Sequence, residues 1–219
     1  MTTMGKSMTT IAQALLDMPL VAILRGLTPD ESLDIGEAIV AAGVTVIEVP
    51  LNSPEPFVSI ERLGRALQGR ALVGAGTVLT AADVDAVADA GGTLVVSPSA
   101  DPRVIRRTKE RGMASLPGFL TPTEAFAAIE AGADALKLFP AEMAPPTIVR
   151  AMRAVLPKGT RLLVVGGVTP QTIPPYLAAG VDGFGVGSEL YKPGRDADDV
   201  GLRAASLVAA VKRAREGSA

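Results

Sequence analysis

Short apolar runs alternate with longer amphipathic stretches along nearly the whole chain. The apolar runs predict β-strands, and the Ala-rich stretches between them predict helices because their apolar positions recur at the helical period. Several helical stretches open with proline and capping signals, such as Thr121-Pro122-Thr123-Glu124 and Thr169-Pro170. A further helix is predicted over 8–18, ahead of the first strand. The predicted strands lie near residues 20–25, 44–49, 71–75, 93–97, 113–116, 134–138, 161–165 and 183–187.

Regular alternation of strands and helices favours parallel strands joined by crossover helices. Eight such units in 219 residues predict an α/β fold, a (β/α)₈ TIM barrel with an extra N-terminal helix that closes one end. The alternative is a doubly wound open sheet, which usually has fewer strands. We expect residues 1–219 to form a single domain, with residues 1–7 disordered.

Glycines mark the ends of five predicted helices. Each stands directly before an apolar run, where a left-handed residue ends a helix before the chain turns into a strand. These glycines are Gly43, Gly91, Gly112, Gly132 and Gly180.

The composition supports a large aliphatic core and limits the partners. Hydrophobic residues make up 48% of the chain but aromatic residues only 3%, which fits parallel strands buried on both faces. The net charge of −2 and the lack of a basic cluster argue against nucleic-acid binding. No apolar run is long enough to span a bilayer, and the polar N-terminal stretch does not resemble a signal peptide. A cytoplasmic protein is therefore expected.

The chain contains no cysteine and no histidine, which restricts its chemistry. Without cysteine there can be no disulfide and no thiolate nucleophile. Without histidine there can be no Ser-His-Asp triad and no histidine-ligated metal. Acid–base work must fall to carboxylates, lysine, tyrosine or water.

Lys137 stands inside the apolar run Ala135–Pro140, where an ammonium group is out of place. Burial of a charge is costly unless the group is paired or its pKa falls. A lysine with a lowered pKa is an amine nucleophile toward carbonyls. The alternative is that Lys137 extends from a strand end into solvent and has only a structural role.

Other polar residues stand where predicted strands end, which in a barrel is the active-site face. Glu48 lies in the second strand, where burial raises a carboxyl pKa toward the range that suits proton transfer. It could instead only neutralise Lys137. Arg25 offers a planar fork for a carboxylate, or an ion pair at the rim. Thr77 offers a hydroxyl contact, or a helix cap.

The last two predicted strands end in glycine-rich turns, at the position where barrels commonly bind phosphate. Glycines let backbone N–H groups approach an anion, and a helix predicted to start near Thr169 would add a favourable dipole. The alternative is that these residues only make tight turns. An amine, a carboxylate, a cation and a phosphate cradle together fit Schiff-base carbon chemistry on a phosphorylated oxo acid. The turn residues are Gly166, Gly167, Gly187 and Ser188.

From about residue 19 to 215 the sequence resembles the class I 2-keto-3-deoxy-6-phosphogluconate and 2-keto-3-deoxy-6-phosphogalactonate aldolases. The resemblance implies a homotrimeric (β/α)₈ barrel that uses no metal or cofactor. It also implies cleavage of a six-carbon phosphorylated 2-oxo acid to pyruvate and glyceraldehyde 3-phosphate. The motifs that carry it are AILRG at 22–26, IEVPLNSP at 47–54, VGAGTV at 73–78, LKLFP at 136–140 and GGV at 166–168.

The same resemblance implies a role for each matching residue. Lys137 would form the Schiff base at the substrate C2, and Glu48 would relay protons through water. Arg25 and Thr77 would hold the carboxylate of the pyruvate half. Phe139 would pack beside the lysine, and Gly166, Gly167, Gly187 and Ser188 would bind the 6-phosphate.

Two positions resemble the galactonate branch of these aldolases. Enzymes of the gluconate branch usually carry Arg-Thr where this chain has Asn52-Ser53, and Thr where it has Val165. A threonine hydroxyl can bond to one C4 epimer and valine cannot, although such a difference gives only modest discrimination. The alternatives are a gluconate-epimer or 4-hydroxy-2-oxoglutarate aldolase. A non-catalytic phosphosugar-binding barrel would not need both Lys137 and Glu48.

Overall fold

The computed structural model describes residues 10–217, in which parallel strands form a TIM barrel surrounded by helices. The strands pair in the order β5-β4-β3-β2-β1-β9-β8-β7-β6, and only Pro117 separates β5 from β6, so the two ends of the sheet meet. The predicted barrel is confirmed, and the open-sheet alternative is wrong. The strands are β1 (Leu20–Ile23), β2 (Val46–Pro50), β3 (Leu72–Gly76), β4 (Leu94–Val96), β5 (Ala114–Leu116), β6 (Gly118–Phe119), β7 (Leu136–Leu138), β8 (Leu162–Val165) and β9 (Gly183–Val186).

The fifth predicted strand is longer than expected and is interrupted. The sequence predicts it over 113–116, whereas the structure continues it past Pro117 as β6. Proline has no N–H to donate to a neighbouring strand, which explains the break. Its carbonyl oxygen still accepts a hydrogen bond of 2.9 Å from the backbone N–H of Lys137.

Helices follow most strands, and their ends agree largely with the sequence signals. Thr121 caps its helix in a reciprocal capping box with Glu124, as predicted. All five glycines predicted to end helices have a positive φ. The helices are α1 (Ile11–Asp17), α2 (Ser32–Ala41), α3 (Pro56–Ala66), α4 (Ala81–Asp89), α5 (Pro102–Glu110), α6 (Pro122–Glu130), α7 (Pro146–Val155), α8 (Ile173–Ala178) and α9 (Ala197–Glu216), with a 3₁₀ turn at Ala141–Met143.

The prediction of a helix start near Thr169 is wrong. The helix α8 begins at Ile173, and Thr169 and Thr172 instead form a hydrogen-bonded turn ahead of it. Helix α8 has only six residues and begins well after the glycine turn, so we do not expect its dipole to favour an anion there.

Helix α1 closes the N-terminal end of the barrel, as the sequence predicts. Its residues Ile11 and Leu15 pack in one buried cluster with inward-facing strand residues such as Val21, Val46 and Leu163. The predicted helix over 8–18 starts two residues earlier than the described chain, and the predicted disorder of 1–7 also lies outside the described residues. No helix within 10–217 is long and apolar enough to cross a membrane.

Side chains alternate between the barrel interior and the helices, with a period of two. Two residues beyond Val46, Ala135 and Leu163, the next interior positions are Glu48, Lys137 and Val165. The strand pleat therefore places these side chains at the C-terminal mouth of the barrel.

Candidate active site

Glu48 and Lys137 are buried side chains at the mouth of the barrel, 2% and 8% exposed respectively. Glu48 lies in β2 beside Ile23 of β1 and Gly74 of β3. Lys137 lies in β7 beside Gly118 and Leu163. The parallel register thus holds both groups on rigid strands.

Gly76 makes room for the Glu48 carboxyl group. A Cβ added at this position would overlap Glu48 Oε2 and would lie 2.8 Å from Oε1. Any larger residue in this strand position would displace the carboxyl group. The glycine-rich end of β3 is therefore part of the site.

Burial dominates the electrostatics of the pair. It raises the pKa of Glu48 to about 7, although the nearby cations of Lys137 and Arg25 act in the opposite direction. Burial also lowers the pKa of Lys137, with the Glu48 charge opposing this and Arg25 adding to it. The ion pairs within 4.0 Å across residues 10–217 do not include one between the two, and Glu48 Oε2 has no hydrogen-bond partner there. The mouth therefore holds a carboxyl group that titrates near neutral pH and an amine that releases its proton more readily than usual.

Phe139 forms one side of the mouth beside the amine. The Nζ of Lys137 lies 4.9 Å from the centroid of its ring, which is the range of a cation–π contact. Phe139 as a whole residue is 37% exposed. Phe139 therefore lies between the lysine and solvent, as its predicted position beside the lysine requires.

Arg25 follows β1 and is held at two points of its guanidinium group. Nη1 donates a hydrogen bond of 2.6 Å to Asn52 Oδ1, and Nη2 donates one of 3.3 Å to Thr77 Oγ1. Thr77 has a φ of 57°, a left-handed conformation that is strained for a β-branched residue. The loops after β1, β2 and β3 thus converge on one exposed cation.

Asn52 is a site residue that the sequence analysis did not single out as a binding group. It is the only asparagine in the chain and lies two residues after the end of the second strand, which are the signals that could have identified it. Its neighbour Ser53 is buried, and the Ser53 Oγ accepts a hydrogen bond of 2.9 Å from the backbone N–H of Gly26. The Asn52-Ser53 pair therefore fixes both the side chain of Arg25 and the backbone that follows it.

The predicted phosphate turns lie side by side, because β8 and β9 are hydrogen-bonded neighbours. Gly166 and Gly167 follow β8 with φ values of 113° and 58°, and Gly187 and Ser188 follow β9. The carbonyl oxygen of Ser188 accepts a hydrogen bond of 3.0 Å from Arg195 Nη1. A side chain thus fixes the loop after β9.

Val165 points into the barrel directly below the Gly166–Gly167 turn. A Cβ added at Gly185 of β9 would lie 2.6 Å from Val165 Cγ2 and 3.2 Å from Ile23 Cδ1. Val165 is 8% exposed. It therefore presents methyl groups to the interior at the level of the mouth.

All ten residues that the sequence predicts for the site lie within the last three residues of a strand or in the loop that follows it. Side-chain contacts or charge interactions connect Arg25, Glu48, Thr77, Lys137 and Phe139. Within 10–217, no group of three or more Asp or Glu residues is placed to hold a metal ion. The arrangement offers an amine nucleophile, a proton-transfer group and a cation around one opening.

Comparison with known proteins places this architecture in a family. The family model described as "KDPG and KHG aldolase" matches residues 11–201. A probable 2-dehydro-3-deoxy-6-phosphogalactonate aldolase of Rhizobium meliloti (strain 1021) is 49% identical over 89% of this chain and 92% of its own length. The 2-dehydro-3-deoxy-6-phosphogalactonate aldolase of Escherichia coli (strain K12) is 45% identical over 90% of this chain and 96% of its own.

A solved structure agrees with these relatives. It is described as "Native KDPGal structure", is 45% identical, and superposes with a TM-score of 0.90 over 91% of this chain and 97% of its own. The barrel, the site at its mouth and these similarities lead to one conclusion: the chain belongs to the KDPG and KHG aldolase family, the class I aldolases that cleave carbon–carbon bonds.

Proposed function

We propose that this enzyme cleaves 2-dehydro-3-deoxy-6-phosphogalactonate to pyruvate and glyceraldehyde 3-phosphate, with Lys137 as the Schiff-base residue. The observation that carries the proposal is the buried pair of Lys137, with its lowered pKa, and Glu48, whose pKa is about 7. The galactonate aldolases at 45% and 49% identity support this choice of substrate.

The first half of the proposed reaction forms an iminium ion on Lys137. The neutral amine attacks the C2 carbonyl carbon and gives a carbinolamine, and loss of its hydroxyl group as water gives the iminium. Glu48 in its protonated form supplies the proton that this departing water needs, through a bridging water molecule. A carboxyl pKa near neutrality suits this step because both protonation states are populated.

The second half breaks the C3–C4 bond. Glu48, now ionised, accepts the proton of the C4 hydroxyl group, and the bond electrons flow into the iminium. Glyceraldehyde 3-phosphate leaves, and the enamine that remains takes a proton at C3. Water then hydrolyses the new imine to pyruvate and restores the free amine of Lys137.

The two ends of the substrate take different groups. Arg25 binds the carboxylate with Thr77, and Asn52 keeps the guanidinium group in place. The backbone of Gly166, Gly167 and Gly187, with Ser188, receives the 6-phosphate. Phe139 covers the amine from the solvent side.

Trapping of the imine tests the assignment of Lys137. Borohydride reduction in the presence of pyruvate should add a covalent mass to the peptide that contains Lys137 and to no other lysine peptide. Lys137→Met should remove both the label and the turnover, and Lys158→Met, in the exposed turn after α7, is the matched control. A label on any other lysine, or no label at all, would refute the proposal.

Paired kinetics test the choice of C4 epimer. We expect kcat/KM to be higher on the galactonate substrate than on the gluconate epimer. Val165→Thr places a hydroxyl group beside Gly185 and should shift the ratio toward the gluconate epimer by up to about tenfold. A wild-type preference for the gluconate epimer, or for unphosphorylated 4-hydroxy-2-oxoglutarate, would favour those alternative activities instead.

Assembly and location follow from the family resemblance and the sequence, as predictions. We expect a homotrimer of single-domain subunits, which light scattering should show as three times the mass of one chain. We expect the enzyme in the cytoplasm, which cell fractionation can test.

A further inference from the structure

An acidic side chain occupies the turn that we assign to the substrate phosphate. Glu142 lies in the 3₁₀ turn Ala141–Met143, which follows the strand of Lys137. A Cβ added at Gly166 would overlap Glu142 Oε2 and would lie 2.9 Å from Glu142 Cδ. A Cβ added at Gly167 would lie 3.4 Å from Glu142 Cγ and Oε1. The carboxylate thus rests directly on the backbone of the Gly166–Gly167 turn.

A hydroxyl group from a neighbouring helix holds the backbone on either side of Glu142. The hydroxyl oxygen of Tyr176, in α8, lies 3.1 Å from the carbonyl oxygen of Ala141 and 3.2 Å from that of Ala144, so it donates to this turn. Burial, together with the Glu142 charge, raises the pKa of Tyr176. The 3₁₀ turn is therefore anchored to the helix that follows the glycine turn, and Glu142 is held above it.

Nothing in the described residues uses this carboxylate as a structural partner. The hydrogen bonds and ion pairs found within 10–217 include none of the Glu142 side chain, and the residue is exposed. Glu142 is therefore not explained by a helix cap or a salt bridge. What it does contact is the backbone of two glycines in the turn that we assign to the substrate phosphate.

We propose that Glu142 is a specificity-determining residue, whose carboxylate competes with the substrate phosphate for the Gly166–Gly167 turn. The inference rests on the proposed function, since it takes this turn as the phosphate site. Two anions in one turn repel each other, so phosphate binding requires the side chain to swing out toward solvent. The free energy needed to move the side chain weakens binding of the phosphorylated end of the substrate. The ratio of kcat/KM for phosphorylated to unphosphorylated substrates is therefore lower than it would be without the carboxylate. The same repulsion also speeds release of glyceraldehyde 3-phosphate.

The test compares Glu142→Gln with Glu130→Gln. Both remove one negative charge, but Glu130 is exposed at the far end of α6. Inorganic phosphate serves as the probe, as a competitive inhibitor of turnover. We expect its Ki to fall about three- to tenfold in Glu142→Gln and to stay within twofold of wild type in Glu130→Gln. The ratio of kcat/KM for the 6-phosphorylated substrate to that for unphosphorylated 2-dehydro-3-deoxygalactonate should rise by a similar factor.

The outcomes separate this inference from the proposed function. Pyruvate carries no phosphate, so its borohydride trapping on Lys137 reports the proposed chemistry alone. If trapping occurs but the Ki of phosphate is the same in both variants, the role of Glu142 is refuted and the aldolase assignment stands. A Ki that rises in Glu142→Gln would also refute it, because the carboxylate would then assist phosphate binding. Failure of trapping in the wild type would refute the proposed function itself.

Discussion

The floor and the mouth of the barrel interior are built on the same strands, yet they carry opposite kinds of side chain. At the floor, Val21, Val46 and Leu163 pack against Leu15 of the closing helix. Two residues further along, β2 presents Glu48 and β7 presents Lys137. Two residues along a strand thus separate apolar side chains that stabilise the fold from buried ionisable groups that destabilise it.

The two regions make contributions of opposite sign to the free energy of folding. Each buried aliphatic side chain at the floor contributes about 1.5–3 kcal/mol through removal of apolar surface from water. At the mouth, burial raises the pKa of Glu48 from 4.5 to about 7, and such a shift corresponds to about 3 kcal/mol of cost for its ionised form. The comparison shows that the buried pair of Glu48 and Lys137 depends on stability supplied elsewhere in the barrel.

The largest expected effect comes from Glu48→Gln, which should lower kcat by about 10²–10⁴-fold because the proton-transfer group is lost. Stability should change in the opposite direction. Because the folded-state pKa lies above the unfolded value, the folded state holds the extra proton between pH 4.5 and 7, and wild-type stability falls as the pH rises through this range. The variant should therefore be more stable than wild type at pH 8, by about 1–3 kcal/mol, and by much less at pH 4.5. The lower end of this range allows for the attraction between the Glu48 carboxylate and the Lys137 ammonium, which the variant loses.

The measurement is thermal unfolding at the two pH values, together with steady-state kinetics. Val46→Ala, two residues earlier in the same strand, is the matched variant at the floor. It should lose about 2 kcal/mol at both pH values and keep its kcat. If Glu48→Gln were less stable than wild type at pH 8, the buried charge at the mouth would not destabilise the fold, and the contrast between floor and mouth would be wrong.

A smaller effect should follow from Gly76→Ala, which alters the mouth without removing a functional group. The new methyl group would overlap Glu48 Oε2 and displace the carboxyl group by about 1 Å, which should lower kcat by about 10–100-fold. Borohydride trapping on Lys137 should persist, because the amine is untouched. Gly201→Ala, in α9, is the control for glycine loss, since its added Cβ would lie at an ordinary contact distance of 3.6 Å from Ala38 Cβ. Equal losses of kcat in the two variants would argue against a steric link between Gly76 and Glu48.

The smallest effect is expected at Asn52, which acts through Arg25. Asn52→Ala removes the acceptor of the 2.6 Å hydrogen bond that Arg25 Nη1 donates, and it should raise KM about two- to tenfold with little change in kcat. Asn52→Asp keeps an acceptor for Arg25 but adds a charge that repels the substrate carboxylate, so its KM should rise further. A KM for Asn52→Asp at or below the wild-type value would contradict this role.

The sequence predicts the strands well because parallel strands buried on both faces form continuous apolar runs. The same property makes Glu48 and Lys137 conspicuous, since each interrupts such a run. The sequence does not reveal the break at Pro117, because the short segment Gly118–Phe119 is below the length at which a strand pattern can be recognised. The sequence does not reveal the late start of α8, because Thr169-Pro170 suits the observed turn as well as a helix start.

The contacts between loops were not predictable in the same way. Asn52 and Glu142 lie in irregular segments, where no periodicity shows the direction of a side chain. The contact of Glu142 with Gly166 depends on where Tyr176 anchors the 3₁₀ turn, across more than 30 residues of chain. Such partners become visible only when the fold brings the loops together.

Arg215, near the end of α9, donates a hydrogen bond of 3.2 Å from Nη1 to the carbonyl oxygen of Asp17 at the end of α1. The two terminal helices of the described chain therefore meet at the floor, opposite the mouth. A partner protein fused to either helix would extend away from the opening, and substrate would still enter freely. A short linker joining the two helices would also permit circular permutants, with new ends cut into exposed helix–strand loops at the floor.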